Sequence, residues 1–383
     1  MSFKMPKNRK LKILHVYKTY YPDTQGGIEM VLQQLMQGLK DYNVESKLFV
    51  LSPSAVPETL YLAEVTVIRS KTTLEIASNP MSWHAFSKFS QLAKWADIIH
   101  YQFPWPFADI LHIASSCKKP SVISYQSDIV RQRFLMSLYR PLMNIFLSKA
   151  RRICASSPAY MESSNVLSKL YKKTIVIPNG INESACPPAS SASINEWENR
   201  VGKGFFLFIG VLRYYKGLHT LIQASSMSNF PVVIAGEGPE ESELKNQVKK
   251  YGARNVYFAG HINDEAKSAL LSLCGSFVFP SHLRSEAFGM SLVEAAMYKK
   301  PLISCEIGTG TTFVNMHGET GLVIPPEDPH ALAHAMQTLY HNPKLSKTMG
   351  QAAYQRYQEL FTASAMARQY RNVYDEVLSE GQG

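Results

Sequence analysis

Short apolar runs alternate along the chain with stretches of helical spacing. Leu11-Lys12-Ile13-Leu14-His15-Val16 is nearly continuous in apolar residues and reads as a buried strand. A loop with Pro22 and Gly26-Gly27 follows. Then Ile28, Val31, Leu32, Leu35, Met36 and Leu39 recur at intervals of three and four, which predicts a helix over 28–39. Further strands are predicted at Ser46 to Leu51, Val65 to Arg69, Asp97 to Tyr101, Ser121 to Tyr125, Arg152 to Ala155 and Thr174 to Ile177, with helical stretches between several of them. Ile177-Pro178-Asn179-Gly180 breaks the alternation, and Cys186 to Asn195, rich in Pro, Ser and Ala, reads as a linker or surface loop. The pattern restarts at Phe205 to Leu212 and continues at Val232 to Ala235, Val256 to Ala259, Gly275 to Phe279 and Pro301 to Cys305. It closes with a predicted helix over Ala363 to Leu378. Strand–loop–helix alternation of this kind marks parallel sheets covered on both faces. The expected fold is therefore α/β, with two Rossmann-like, doubly wound domains facing each other across a cleft. The boundaries read as 1–178, 179–361 and a terminal helix in 362–383.

Composition narrows the class. A chain of 383 residues with 45% apolar residues suits two cores. No apolar run approaches the roughly 18 residues of a membrane span. The basic N-terminus leads only to the short stretch Leu11 to Tyr17, which does not read as a signal core. The five cysteines, Cys117, Cys154, Cys186, Cys274 and Cys305, include no Cys-x-x-Cys pair. That points to a reducing compartment and away from a disulfide frame or a cysteine-based zinc site.

Charge is uneven. Net charge is +10, but residues 1–175 hold 23 Lys and Arg against 11 Asp and Glu, and residues 176–383 hold 17 against 19. A basic first half invites an anionic partner. Residues 131–152, RQRFLMSLYRPLMNIFLSKARR, hold six basic and no acidic residues among Phe134, Leu135, Leu138, Leu142, Met143, Ile145, Phe146 and Leu147. Pro141 is expected to start a second helix there. The stretch reads either as a contact with an anionic membrane surface or as an ordinary packed helix with solvated basic ends. No nucleic-acid recognition motif accompanies the charge, so nucleic acid is not an expected partner.

Four loops at predicted strand ends carry candidate chemistry: Gly210 to Gly217 with Arg213 and Lys216, Gly236-Glu237-Gly238-Pro239, Gly260-His261-Ile262, and Ser281 to Ser291 with Glu286. Gly289 lets backbone approach a phosphate. A helix from about Met290 and Ser291 offers unpaired N–H groups to an anion. Arg213 and Lys216 add two charges, so a diphosphate can be held without a metal. No Asp-x-Asp occurs, so nothing suggests a magnesium site. Glu294, inside the helix, can accept from ribose hydroxyls. Glu286 can accept from hydroxyls of the group beyond the diphosphate.

These residues resemble retaining glycosyltransferase family 4. Glu286 and Glu294 match Glu-x7-Glu, with Phe288-Gly289 inside it and Pro280-Ser281 before it. Gly210, Leu212, Lys216 and Gly217 match Gly-x-Leu-x-x-x-Lys-Gly. Gly236, Gly238 and Pro239 match Gly-x-Gly-Pro, and Gly26, Gly27 and Glu29 match Gly-Gly-x-Glu. The resemblance implies the GT-B architecture, a nucleotide sugar held mainly by the second domain, and a last helix that returns to the first. It implies catalytic roles for Glu286, Lys216, Arg213 and Gln126. It implies donor contacts from Gly26, Gly27, Gly236, Gly238, His261, Ile262, Phe288, Gly289, Met290, Ser291 and Glu294, and no cofactor or metal.

Two places depart from the family pattern. Val211 stands where an arginine often follows the glycine; Arg213, two residues on along an extended strand, is the expected substitute. Gln126 and Gln102 stand where histidines are common, and glutamine cannot carry a proton. Retaining transfer on one face asks for no such base, so Gln126 reads as a polar sugar contact. A non-catalytic nucleotide-sugar-binding subunit is the other reading. Asp128 either binds acceptor or orients its loop. Phe103, Trp105 and Phe107 either line an acceptor groove with Gln102 or belong to the core. The runs from Glu286 to Ala296 and from Cys305 to Thr311 look similar to bacterial mannosyltransferases of O-antigen or capsule synthesis. This similarity implies GDP-mannose as donor, a lipid-linked (polyprenyl-diphosphate) glycan as acceptor, and a peripheral place on the cytoplasmic face of the inner membrane. A UDP-hexose donor is the alternative.

Overall fold

Contacts divide the chain into two units: the residues up to Gly180 together with those from Ala363, and Ile181–Thr362. The computed structural model describes residues 9–62, 65–76, 79–129 and 133–380. In the first unit the strands are β1 (Leu11–Val16), β2 (Val44–Ser52), β3 (Thr59–Leu62), β4 (Val65–Lys71), β5 (Leu74–Ile76), β6 (Asn79–Met81), β7 (Ile98–Phe103), β8 (Ser121–Tyr125), β9 (Arg152–Ala155) and β10 (Thr174–Val176). Eight of them form one sheet in the order β10-β9-β8-β7-β1-β2-β4-β3. Every neighbouring pair is parallel except β3 with β4. β7 and β8 are buried at every position, as strands covered on both faces must be. β5 and β6 make a separate hairpin.

The second unit holds β11 (Phe206–Ile209), β12 (Val232–Ala235), β13 (Val256–Gly260), β14 (Ser276–Phe279), β15 (Leu302–Cys305) and β16 (Gly321–Ile324). They form an all-parallel sheet in the order β13-β12-β11-β14-β15-β16. Among the parallel strands of each sheet the order reverses at β1/β7 and at β11/β14. Such a switch point opens a crevice at the carboxyl ends of its two strands.

Helix Ala363–Glu380 belongs to the first unit. It packs against helix Gly27–Leu39. Tyr370 Oη lies 2.5 Å from Ser124 Oγ on β8, and Tyr374 Oη lies 2.8 Å from His100 Nδ1 on β7.

Three local expectations need correction. Ser191–Val201 is a helix, not a loop, because the Ser190 hydroxyl caps it by accepting from Ser193 N–H at 3.2 Å. Helix Arg133–Lys149 runs through Pro141 instead of restarting there. It is held on both sides of the proline: Tyr139 donates to the buried Asp109 carboxylate, and Met143, Phe146 and Leu147 are buried. β11 ends at Ile209, three residues before the expected end.

Candidate active site

The loop after β11 turns through Tyr214–Lys216 into Gly217 and helix Leu218–Ser228. Gly217 has φ +69°, and a Cβ there would lie 2.0 Å from the Pro280 carbonyl oxygen. Only glycine lets this loop press against the one that follows β14. Lys216 Nζ therefore reaches across and donates to Glu286 Oε2 at 2.5 Å, with side chains 11% and 12% exposed. The ammonium also stands 4.6 Å from the Phe279 ring centre. Gly289, at φ +91°, precedes helix Met290–Met297, so the N–H groups of Met290 and Ser291 have no partner within the helix.

Glu294 lies in the second turn of that helix and is buried. Its Oε1 accepts from Lys267 Nζ at 2.9 Å, and Lys267 also lies 3.1 Å from Asp264. Burial alone would lower the Lys267 pKa. The charge and hydrogen bond of Glu294, with Cys186 and Asp264 adding, outweigh it and hold the ammonium above its ordinary range. The two glutamates of Glu-x7-Glu thus each have a lysine of their own.

The neighbouring loops are stitched together. Leu212 N–H donates to Glu237 O at 2.9 Å, and Glu240 N–H donates to Leu212 O at 3.1 Å, which fixes Gly236–Gly238 beside the β11 loop. His261 N–H donates to Glu237 Oε1 at 3.3 Å. His261 and Ile262 line a hollow of about 410 Å³ with Ser190, Trp197 and Glu265. Phe288 is buried edge-on to Phe361 and supports the loop. Arg213 does not continue a strand. Its N–H bonds Val211 O at 2.9 Å, so the chain bends, and the exposed side chain lines a hollow of about 140 Å³ with Glu240 and Glu243. Residues 211 and 213 therefore do not share a strand face, contrary to the expectation for Arg213.

The first unit assembles a different set. Gln126 Nε2 donates to Gln102 Oε1 at 2.8 Å, and Asn179 Nδ2 donates to Gln126 Oε1 at 3.4 Å; all three are buried. Asp128 is already satisfied: it accepts from Tyr125 Oη at 2.8 Å and Ser164 Oγ at 2.6 Å. Its N–H lies 2.6 Å from Tyr160 Oη. Trp105 is 1% exposed and donates its Nε1–H to Pro80 O, and Phe103 stacks on Tyr125. With Phe107 they are core, so the expectation of a groove lining is corrected by burial. Gly26 and Gly27 lead into helix Gly27–Leu39, where Glu29 accepts from Thr24 Oγ1 at 2.8 Å. Beneath lie His15 and His100, ring centres 5.1 Å apart. Burial pushes His15 down to about 3 and lowers His100 as well, with His15 adding to the effect.

Sequence reading missed Lys267, Asn179 and Arg284, whose Nη1 donates to Gly308 O at 2.8 Å. Lys267 sits on a helix that begins Asp264-Glu265-Ala266-Lys267, which reads as solvated surface. Its partner is 27 residues away, so no local signal marks it.

Residues 25–185 match the family model Glycosyltransferase Family 4, and residues 190–356 match Glycosyl transferases group 1. The chain is 47% identical to D-rhamnosyltransferase WbpZ of Pseudomonas aeruginosa over 353 residues, 92% of this chain and 93% of that protein. The chain belongs to glycosyltransferase family 4. The transferase is also 46% identical to O-antigen chain mannosyltransferase C of Escherichia coli over 368 residues, covering 96% of this chain and 99% of that one. Two solved structures share its fold at low identity. Sucrose-phosphate synthase from Thermosynechococcus elongatus has TM-score 0.78 and 18% identity, with 97% and 100% of the two chains covered. Anabaena HepE in complex with UDP-glucose has TM-score 0.76 and 19% identity, with 96% and 100% covered. The two Rossmann-like units are those of the GT-B fold. Among the described residues, no helix of the transferase is long and apolar enough to cross a membrane.

Proposed function

We propose that the transferase moves mannose from GDP-mannose, with retention, to a polyprenyl-diphosphate-linked oligosaccharide in O-antigen, lipopolysaccharide or capsule synthesis. The observation that carries this reading is the 46% identity over nearly the whole of both chains with an O-antigen chain mannosyltransferase. The site's chemistry supports it. Lys216 and Glu286 bring a cation and a hydroxyl acceptor to one spot, which suits a phosphate bonded to a sugar. Met290 and Ser291 N–H groups, with Lys216, hold the diphosphate, joined by Arg213 once its exposed side chain turns away from Glu240 and Glu243, and Glu294 holds the ribose. The acceptor oxygen bonds to the anomeric carbon on the face that the diphosphate leaves, and the departing phosphate oxygen takes the acceptor's proton. Gln126 and Gln102 supply amide contacts for sugar hydroxyls and no proton. No divalent cation is needed on the diphosphate, so added Mg²⁺ should leave turnover unchanged.

Calorimetric titration with GDP and with UDP tests the donor; tighter UDP binding would reject GDP-mannose and favour a UDP-hexose. A second reading rests on the 47% identical relative, a D-rhamnosyltransferase. D-Rhamnose is mannose without its 6-hydroxyl. A site built to bond that hydroxyl discriminates steeply, by about 10⁴-fold. Steady-state rates with GDP-mannose and GDP-D-rhamnose therefore separate the two.

We also propose that the transferase works peripherally on the cytoplasmic face of the inner membrane, with residues 131–152 touching anionic lipid. Leu138 and Ile145 are 70% and 47% exposed beside exposed Arg140 and Lys149. The patch is narrower than the sequence suggested, since Met143, Phe146 and Leu147 are core. Arg131 and Gln132, and the side chains of Phe134 and Leu135, lie outside the described residues. Co-sedimentation with anionic vesicles at low salt is expected; its absence would remove this role.

A further inference from the structure

Three side chains that the transfer chemistry does not use meet at the carboxyl edge of the second sheet. His219 lies in the first turn of helix Leu218–Ser228, His282 follows β14, and Glu327 lies between β16 and helix Pro329–His341. One nitrogen of each imidazole and one carboxylate oxygen all lie within 4.8 Å of one another. In sequence they stand 63 and 45 residues apart, so only the fold assembles them.

His282 is the member of the cluster that points to a ligand. Its side chain is 1% exposed, and neither ring nitrogen has a hydrogen-bond partner among the described residues. A buried, unsatisfied imidazole is costly and uncommon. The ring is nevertheless held. His282 N–H donates to Tyr215 O at 3.0 Å, Tyr214 packs edge-on to it at 4.9 Å, and Tyr214 stacks on His219 at 5.5 Å. Nε2 faces Glu327 Oε1 at 3.8 Å. A Cβ on Gly217 would lie 3.3 Å from Nδ1. Glu327 is exposed and can close on an ion by side-chain rotation alone.

We propose that His219, His282 and Glu327 bind a transition-metal dication of the zinc class. Two imidazoles and one carboxylate are the donor set that such ions take with a further position left open, whereas Mg²⁺ prefers oxygen ligands throughout. The site is separate from the donor reading and does not depend on it. A bound ion fastens the Tyr214–Gly217 turn to the loops after β14 and β16, and so stiffens the support of Lys216.

The test uses the full chain, stripped with a chelator and titrated with ZnCl₂, with MgCl₂ as control, followed by calorimetry and thermal melting. The expected result is one equivalent of Zn²⁺ bound with a raised melting temperature, and neither effect with Mg²⁺. Glu327→Ala, at an exposed position, and His219→Ala should each weaken Zn²⁺ binding at least about tenfold while circular dichroism stays unchanged. Absence of stoichiometric Zn²⁺ binding overturns the proposal. So does Zn²⁺ binding of unchanged strength in both folded variants, because the ion would then sit on other residues.

Discussion

The two sheets use their switch points differently. At β11/β14 the loops carry ion pairs, Lys216 with Glu286 and, one helix away, Lys267 with Glu294. The buried polar side chains on β1 and β7, and those on and just after β8, are neutral: amides of Gln102 and Gln126, the hydroxyl of Ser124, and imidazoles that burial keeps uncharged. The charged set can meet an anion and its hydroxyls together. The neutral set can only orient a polar group or brace the sheet. Net charge misleads here, since the first half of the chain carries the basic excess and yet the polar side chains buried on these strands are neutral.

The difference can be broken experimentally. The largest effect is expected from Lys216→Ala and Glu286→Ala, each lowering turnover by roughly 10²–10³-fold, the scale of one transition-state charge contact. Because the two side chains touch, the double variant should lose less than the product of the two. Gln126→Ala should cost only about tenfold, the worth of a neutral hydrogen bond. Equal losses at Gln126 and Lys216 would erase the distinction.

Lys267→Met comes next. It leaves Glu294 buried without its cation and should destabilise the fold by about 3 kcal/mol, read by denaturant unfolding. Adding Glu294→Gln should recover part of that loss; no recovery would mean the pair is not the cause.

The smallest effect concerns pH in the first unit. His15 and His100 stay neutral when folded and protonate when unfolded, so the unfolded chain binds more protons below pH 6.5. Stability is therefore fully present above about 6.5 and falls as pH drops below it, by about 1.4 kcal/mol per pH unit for each histidine, the His15 share being lost down to about 3. Melting temperatures between pH 7.5 and 5.5 should fall, and less steeply in His15→Leu.

Much of the fold was legible because parallel strands buried on both faces must be short and apolar. β8, β9 and β12 lie where their apolar runs stand, residue for residue. Two strands at sheet edges were not legible. β3 alternates exposed and partly buried positions at a sheet edge, and β16 is four residues beginning with glycine. The helix from Ser191 hid behind serines that cap it. Of the candidate site, Glu286, Glu294, Lys216 and Gly289 stood out because phosphate and hydroxyl chemistry demands those residue types near a helix start. The strand position expected for Arg213 was wrong, because a strand end cannot be read to within three residues.

The sequence by itself determined the alternation of strands and helices, the two-domain plan, and the residue types of the candidate site. These follow from local periodicity and from chemistry carried on contiguous motifs. Tertiary structure alone decided the partners: Lys216 with Glu286, Lys267 with Glu294, Gln126 with Gln102, and His219 with His282 and Glu327. Pairing depends on which loops the sheet order brings together, and a carboxylate carries no local mark of the lysine it will meet.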